Sequence, residues 1–395
     1  MVDFTQDAVK NCPDSCWGRG RKVVLFANTD WYLYNFRRSL AGALRDDGFE
    51  VILLSPPGAY GPLLSDLGFR WIAAPMSRLS LNPLRELALL VWLVRLLRSE
   101  RVSLVHGFTI KCVIYGALAA RIAAVKARVS AVAGMGYVFI STSLRAKGLR
   151  LVLKPLFKLA LSGRTSRLIV QNHDDRGVFL QTGLIDPARI RLIPGSGVDC
   201  ERFRPRNQPR SAGPLRVLLA SRLLWDKGLA EYAEAARLLL SQGRDIEFLL
   251  AGDPDPGNPA SVEPSIIQAW EEGGVLECLG HVDDMAGLLN TVDVAVLPSY
   301  REGLPKSLIE AAACGLPLVT TDVPGCREVV TDGENGLLVP VRDAQALAAA
   351  IAQLQDDPEL AASLGRAARA KACAQFDENR VIEQTLAVYR ELLEN

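Results

Sequence analysis

The chain of 395 residues carries 45 Lys+Arg against 44 Asp+Glu, a net charge of +1, and 49% of its residues are hydrophobic. That length allows two sizeable cores, and the composition excludes a disordered chain, a collagen-like repeat and a small disulfide scaffold. The eight Cys are scattered, the closest pair (Cys12 and Cys16) has no second pair or His cluster beside it, and only three His exist; they read as reduced cytosolic thiols.

Residues 1–21 are polar and broken by Pro13, Gly18 and Gly20, with no apolar core for a signal peptide; they read as a flexible N-terminal segment. From residue 22 onward, short β-branched runs alternate with longer amphipathic stretches, the pattern of parallel α/β layers. Strands are expected at Lys22–Ala27, Val51–Ser55, Phe69–Ala73, Ser103–His106, Arg128–Val132 and Arg167–Gln171, and helices at Tyr34–Asp47, Pro83–Ser99 and Lys111–Ala124. Apolar stretches such as Leu87–Leu97 are interrupted by Arg95 and fall short of the roughly 20 residues a bilayer span needs, so no transmembrane segment is expected.

The segment Phe203–Pro214, rich in Pro and Arg, reads as a linker. The rhythm then restarts, with strands at Arg216–Ser221, Glu247–Ala251, Val275–Cys278, Val294–Pro298 and Leu318–Thr321, and Glu378–Leu393 closes the chain as an amphipathic helix. The expected organisation is an N-terminal domain over 22–204, a linker at 205–214, a C-terminal domain over 215–376 and a terminal helix at 377–395, packing back on the N-terminal domain being one option for it. Two doubly wound domains would face one another across a cleft, with ligands beyond the carboxyl ends of the strands.

The near-zero net charge conceals an asymmetry. Residues 1–205 hold 29 Lys+Arg and 15 Asp+Glu, whereas 206–395 hold 16 and 29. Between Glu100 and Asp174 there are twelve bases and no acid. Such a block is either a solvated basic face or a surface for an anionic partner. Nucleic acid is not that partner, because Leu rather than aromatic residues separate the bases.

The densest cluster of chemistry-bearing residues is Pro298–Glu310. A strand runs into a Gly/Pro loop and then a helix beginning near Pro305, which is expected in the first helical turn. The free N–H groups of that turn offer a place for phosphate or a developing anion. Glu302 at its mouth and Glu310 within the helix could accept hydrogen bonds from sugar or ribose hydroxyls; the plainer alternative is a cap and a surface charge. Glu310 leads into the small residues Ala311-Ala312-Ala313-Cys314, where an unpaired carboxylate would be costly. A second cluster, Ser221–Gly228, supplies Arg222 and Lys227 after another strand; a planar fork and a point charge together suit a diphosphate, or else are two solvated bases.

Arg222 and Lys227-Gly228, Glu302 and Glu310 at an E-x7-E spacing, Gly315-Leu316-Pro317, Gly325, Glu328 and Asn335–Val339 together resemble the retaining nucleotide-sugar glycosyltransferases of family 4. The likeness runs from about Lys22 to Leu393 and implies the GT-B fold with two Rossmann-like domains. It also implies a donor on the second domain, a nucleotide-sugar substrate rather than a cofactor, and no essential metal. By this resemblance Arg222 and Lys227 hold the donor diphosphate, with Ser221 beside them. Glu302 meets the donor sugar near the backbone of Gly303, Leu304 and Pro305, and Glu310 binds ribose. His281 and Val282 approach the base, and Gly195–Asp199 forms a turn before the linker.

The N-terminal segments Trp31–Arg37, His106–Lys111 and Gly134–Phe139 resemble enzymes that extend polyprenyl-diphosphate-linked saccharides of bacterial surface polysaccharides, N-acetylgalactosaminyltransferases among them. Two positions depart from the pattern: Asn28-Thr29-Asp30-Trp31 replaces a Gly-Gly pair, and Gly134-Met135-Gly136 stands where many relatives have a His. Asn28, His106 and Gly136 are therefore the acceptor-side candidates, with His106 alternatively a strand-end cap. In Leu144–Gly163, Lys147, Arg150, Lys154 and Lys158 recur among leucines, as in a helix lying on anionic lipid or an exposed basic face of a core helix, with Pro155 marking a kink or a second helix start. Asp253-Pro254-Asp255 imitates a D-x-D metal motif, but its Pro/Gly-rich loop in a GT-B-like chain argues against metal.

The expected function is a metal-independent retaining transferase at the cytoplasmic membrane face, taking a HexNAc such as GalNAc from a UDP-sugar to a lipid-linked acceptor. The alternatives are a UDP-GlcNAc epimerase of the same fold and an inactive sugar-nucleotide-binding scaffold.

Overall fold

The computed structural model describes residues 17–77, 80, 82–132, 144–207, 213–255 and 257–394, with backbone alone for 144–152. The expectations placed on 1–16 and on Gly134–Phe139, Gly136 included, lie outside the described residues, as do those on the side chains of Lys147 and Arg150. By contact density the chain forms two units. Among the described residues, those up to 169 and those from 386 onward form the first, and those from 170 to 385 the second.

In the first unit the strands are β1 (Lys22–Phe26), β2 (Glu50–Ser55), β3 (Arg70–Ala73), β4 (Leu104–Phe108), β5 (Ala127–Val132) and β6 (Ser166–Val170). Their order is β3-β2-β1-β4-β5-β6. The ladders β1–β2, β2–β3, β1–β4 and β4–β5 are parallel, with Val24 opposite Ile52 on one side and Val105 on the other. The all-buried patterns of β4 and β5 follow from helices on both faces of a parallel sheet. The helix Pro83–Ser99 begins as its sequence dictates: Asn82 caps the N–H groups of Leu84 and Arg85, and Pro83 fills a position that needs no donor. It sends Leu89, Leu93 and Leu97 into the core beside Val24, Ile52 and Val105.

In the second unit β8 (Leu215–Ala220), β9 (Ile246–Ala251), β10 (Glu277–Gly280), β11 (Val294–Leu297), β12 (Leu318–Thr321) and β13 (Leu337–Val339) form a fully parallel sheet ordered β10-β9-β8-β11-β12-β13. Both sheets thus fan outward in two directions from a central pair, β1/β4 and β8/β11. That is the doubly wound Rossmann topology, whose ligands gather where the order reverses. Separate cores cover the two faces of the second sheet. Tyr232, fully buried in one of them, places its hydroxyl 2.8 Å from Val217 O and 3.0 Å from Leu249 O.

The structure corrects several expectations. The helix expected over Tyr34–Asp47 is two, Asp30–Phe36 and Arg38–Asp46, divided at Arg37, whose ψ of 0 leaves the helical range. The helix Leu144–Leu161 runs through Pro155 rather than restarting there. Two three-residue strands, β7 (Ile190–Leu192) and β13, had no sequence signal. The second unit begins at Val170, well before the 205–214 linker, because side chains at 172–175 are tied to the 301–303 and 327–328 loops. The terminal helix Glu378–Leu393 is shared, with Leu386 onward belonging to the first unit. Among the described residues no helix is long and apolar enough to cross a membrane.

Candidate active site

Two loops leave the central strands of the second sheet at their carboxyl ends. After β8, residues 221–228 turn through a short 3-10 segment, Trp225–Lys227, and close at Gly228 in the left-handed conformation (φ 76°). A Cβ there would lie 2.1 Å from Pro298 O, so only Gly lets this loop press against the one that follows β11. Asp226 O accepts from Tyr300 N at 2.9 Å and lies 3.0 Å from Ser299 Oγ, which stitches the two loops together.

That stitching brings Lys227 and Glu302 into contact, with Nζ 2.5 Å from Oε1. The pair is mostly shielded, the side chains being 18% and 11% exposed. Ser299, wholly buried, donates to the same Glu302 oxygen at 2.8 Å. An ammonium, a hydroxyl and a carboxylate therefore meet at the point where the strand order reverses. Shielding makes the pair stronger than a surface ion pair but costly to leave half-broken, since either charge alone would be partly desolvated.

The loop carrying Glu302 is held from two further sides. Asn172 Nδ2 donates to Gly303 O at 2.6 Å, and Arg301 pairs with Asp175 at 3.0 Å. Asp175 is fully buried, and burial pushes its carboxyl up despite Arg301 and Asn172 beside it. Gly325 (φ 82°) closes the other side: a Cβ there would lie 2.7 Å from both Glu302 O and Gly303 O. Ser299, Asn172 and Asp175 hold the candidate-site loop and were not singled out in the sequence reading. Asn172 and Asp175 did carry a helix-start signal, Asn followed by Asp three residues on, and Asn172 does cap Asp175 N at 2.6 Å.

Pro305 is the N-cap of the helix Lys306–Ala313 rather than a member of its first turn, a correction of one position. The first N–H groups of this helix still lack intrahelical acceptors and, with the dipole, favour an anion. Leu304 packs beneath the loop against the second unit's core. Glu310 lies one turn in, 3.7 Å from Lys306 Nζ with its side chain 15% exposed. Burial raises its pKa, with Lys306 and Arg202 opposing.

The remaining sequence candidates are placed as follows. Arg222 pairs with Asp255 at 2.7 Å, while Ser221 Oγ donates to Arg222 O at 3.0 Å. The second carboxylate of the D-x-D look-alike is thus the partner of a base, and it also accepts from Asn258 at 3.2 Å. His281, half exposed, lies 3.2 Å from Asp283, and Val282 packs on the core behind it. In the first unit Asn28 follows β1, half-buried. His106 is neither a strand-end cap nor an exposed sugar contact, because β4 continues two residues past it and its ring is 1% exposed. Its Nδ1 lies 2.5 Å from Tyr389 Oη, and burial, with Arg37's charge second, holds it well below the ordinary imidazole value. Lys154 and Lys158 are exposed on the helix Leu144–Leu161.

Comparison with known proteins gives these features a family. The "Glycosyl transferases group 1" description matches residues 214–357, and "Glycosyl transferase 4-like" matches 22–172. An N,N'-diacetylbacillosaminyl-diphospho-undecaprenol α-1,3-N-acetylgalactosaminyltransferase of Campylobacter jejuni is 30% identical over 375 residues, 92% of this chain and 96% of that protein. The chain belongs to the group 1, family 4-like glycosyltransferases.

An Escherichia coli UDP-Gal:α-D-GlcNAc-diphosphoundecaprenol α-1,3-galactosyltransferase is a further relative of this glycosyltransferase, 28% identical over 80% of the chain and 83% of its own length. The matched relatives are transferases, and nothing among them supports the epimerase alternative. The fold is GT-B. A Rickettsia africae glycosyltransferase superposes with a TM-score of 0.76 at 19% identity, covering 95% of this chain and 99% of its own. Anabaena HepE in complex with UDP superposes at 0.74 and 20% identity, covering 94% and 100%.

Proposed function

We propose that this glycosyltransferase transfers a HexNAc, GalNAc being the first to test, from a UDP-sugar to a polyprenyl-diphosphate-linked saccharide, with retention at the anomeric carbon, in O-antigen or capsule assembly. The relatives matched over most of the chain, named for undecaprenyl-diphosphate acceptors, support the substrate class. The single observation that carries the donor site is the Lys227–Glu302 pair at the β8/β11 reversal, beside the open N-terminus of the helix Lys306–Ala313.

In this reading the donor diphosphate takes Lys227 from Glu302, and its oxygens are shared between that ammonium and the helix N–H groups. The C1–O bond to the diphosphate breaks as negative charge develops on the leaving oxygen, and these preorganised charges stabilise it. Glu302, released, accepts a hydroxyl of the donor sugar, and Glu310 accepts ribose hydroxyls. Arg222, whose side chain is half exposed, exchanges Asp255 for the diphosphate, and Asp255 keeps its hydrogen bond from Asn258. The acceptor oxygen attacks C1 on the face that the diphosphate leaves, and its proton passes to a diphosphate oxygen. Metal independence rests on this charge supply: Lys227, Arg222 and the helix N–H groups provide the positive charge the diphosphate needs. The exposed Lys154 and Lys158 support peripheral attachment to the inner face of an anionic membrane.

A thermal-shift panel of UDP, GDP, ADP and CMP in chelator, followed by transfer assays with UDP-HexNAc donors and a synthetic polyprenyl-diphosphate saccharide, tests the reading. A shift with UDP that Lys227→Ala abolishes, and product with retained configuration, are expected. A shift with GDP alone would overturn the donor assignment, and binding of UDP without transfer or slow donor hydrolysis would favour the scaffold alternative.

A further inference from the structure

The helix Pro83–Ser99 has two apolar faces, and only one is used by the core. Leu89, Leu93 and Leu97 point inward. On the opposite side Leu84, Leu87 and Val91 are 77%, 58% and 41% exposed, and Arg95 and Arg98 continue the same stripe at helical spacing. From Leu84 to Arg98, at about 1.5 Å of rise per residue, the stripe is about 21 Å long. Scattered single apolar residues on a surface need no explanation, but three in a row along one helix face do.

The charges around the stripe decide its partner. The helix has one acid and its C-cap another, and both are taken up in ion pairs: Glu86 with Lys111 at 2.7 Å, and Glu100 with Arg70 at 2.7 Å and Lys22 at 3.2 Å. Its outward charges are all positive, Arg85, Arg95 and Arg98 being exposed. The acid-free basic run of 101–173 follows directly in sequence. A groove of about 530 Å³, lined by Pro57, Met76, Arg85, Glu86 and Ala88 among others, opens beside the first turn; Glu86 is held by Lys111, and Arg85 is the exposed charge at the groove. Leucines flanked by arginines with every acid neutralised suit an anionic bilayer surface, whose acyl boundary takes the leucines and whose phosphates take the bases.

We infer that the outer face of the helix Pro83–Ser99 docks the first unit onto anionic lipid, Leu84, Leu87 and Val91 entering the interface. This deepens the reading of a lipid-linked acceptor and rests on it for its biological sense, but its test is separate. The test is flotation of the full chain with phosphatidylcholine vesicles, with and without phosphatidylglycerol, alongside the UDP thermal shift. Wild-type chain should float only with phosphatidylglycerol, and Leu84→Glu/Leu87→Glu should bind about tenfold more weakly while keeping its UDP shift. Arg85→Glu/Arg95→Glu, which leaves the apolar face intact, should weaken binding similarly and make it less sensitive to salt. Equal binding of the variants and wild type, or no wild-type binding, overturns the inference. So does a wild-type dimer, without vesicle binding, that Leu84→Glu/Leu87→Glu dissociates; the face would then belong to a second copy of the chain. The UDP shift reports on the second unit alone, so its loss would count against the donor site and not against this face.

Discussion

Lys227 and Glu302 neutralise each other in the absence of donor, so removing either leaves the other partly buried and alone. Lys227→Ala should abolish the UDP thermal shift and lower kcat by roughly 10²–10³, the range for losing one preorganised charge at a developing anion. Glu302→Gln should instead free Lys227: UDP binds at least as tightly while kcat falls, a split that a merely structural residue would not produce. Ser299→Ala removes a buried donor to Glu302 and should cost about 1–3 kcal/mol of stability by denaturant unfolding. Lys227 and, 75 residues on, Glu302 with Glu310 stood out as candidates in the sequence because each follows a strand on a strand-loop-helix pattern. Asn172 and Asp175 did not, since their partners lie 131 and 126 residues away and chain spacing says nothing about such contacts. The burial of His106 was likewise not legible, since one of the groups packed on its ring, Tyr389, lies 283 residues on.

At the level of elements, the long segments followed periodicity and the short ones did not. Pro83–Ser99 and Glu378–Leu393 have the bounds expected of them, one through its Asn cap and N1 proline, the other through its apolar spacing. β7 and β13, three residues each, are too short to show a period of two, and the break at Arg37 has no Gly or Pro to announce it. Loop packing makes its own prediction. Gly325→Ala adds a Cβ 2.7 Å from Glu302 O and Gly303 O at a φ that alanine rarely adopts, so it should lower Tm and impair UDP binding together. The β2–β3 edge is sensitive to acid. Arg70's hydrogen bonds first, with Lys22's help, hold Glu100 at about 2, against an ordinary 4.5. A depressed carboxylate stabilises above its unfolded value and loses that contribution as pH falls through its folded one. Stability should therefore decline between about pH 4.5 and 2, and Glu100→Gln, less stable at pH 7, should show a shallower decline in pH-dependent denaturant unfolding.

Over the whole molecule, alternation of strands and helices was enough to foresee two doubly wound sheets, because a parallel sheet needs a crossover after each strand. The division between the units was not foreseeable from composition. Proline and arginine mark 203–214, but Asn172, Asp175 and His173 tie the preceding segment to the second unit through side-chain bonds. The charge asymmetry, basic before residue 206 and acidic after it, fits a first unit meeting anionic lipid, while the local Lys227–Glu302 device, not overall charge, would receive the nucleotide. Hydrogen–deuterium exchange of the full chain with and without UDP tests that claim most directly. UDP should slow amide exchange in 222–228 and 299–308, the loops after β8 and β11, and Lys227→Ala should abolish the protection. Protection confined to the first unit, or protection that survives in Lys227→Ala, would contradict the account.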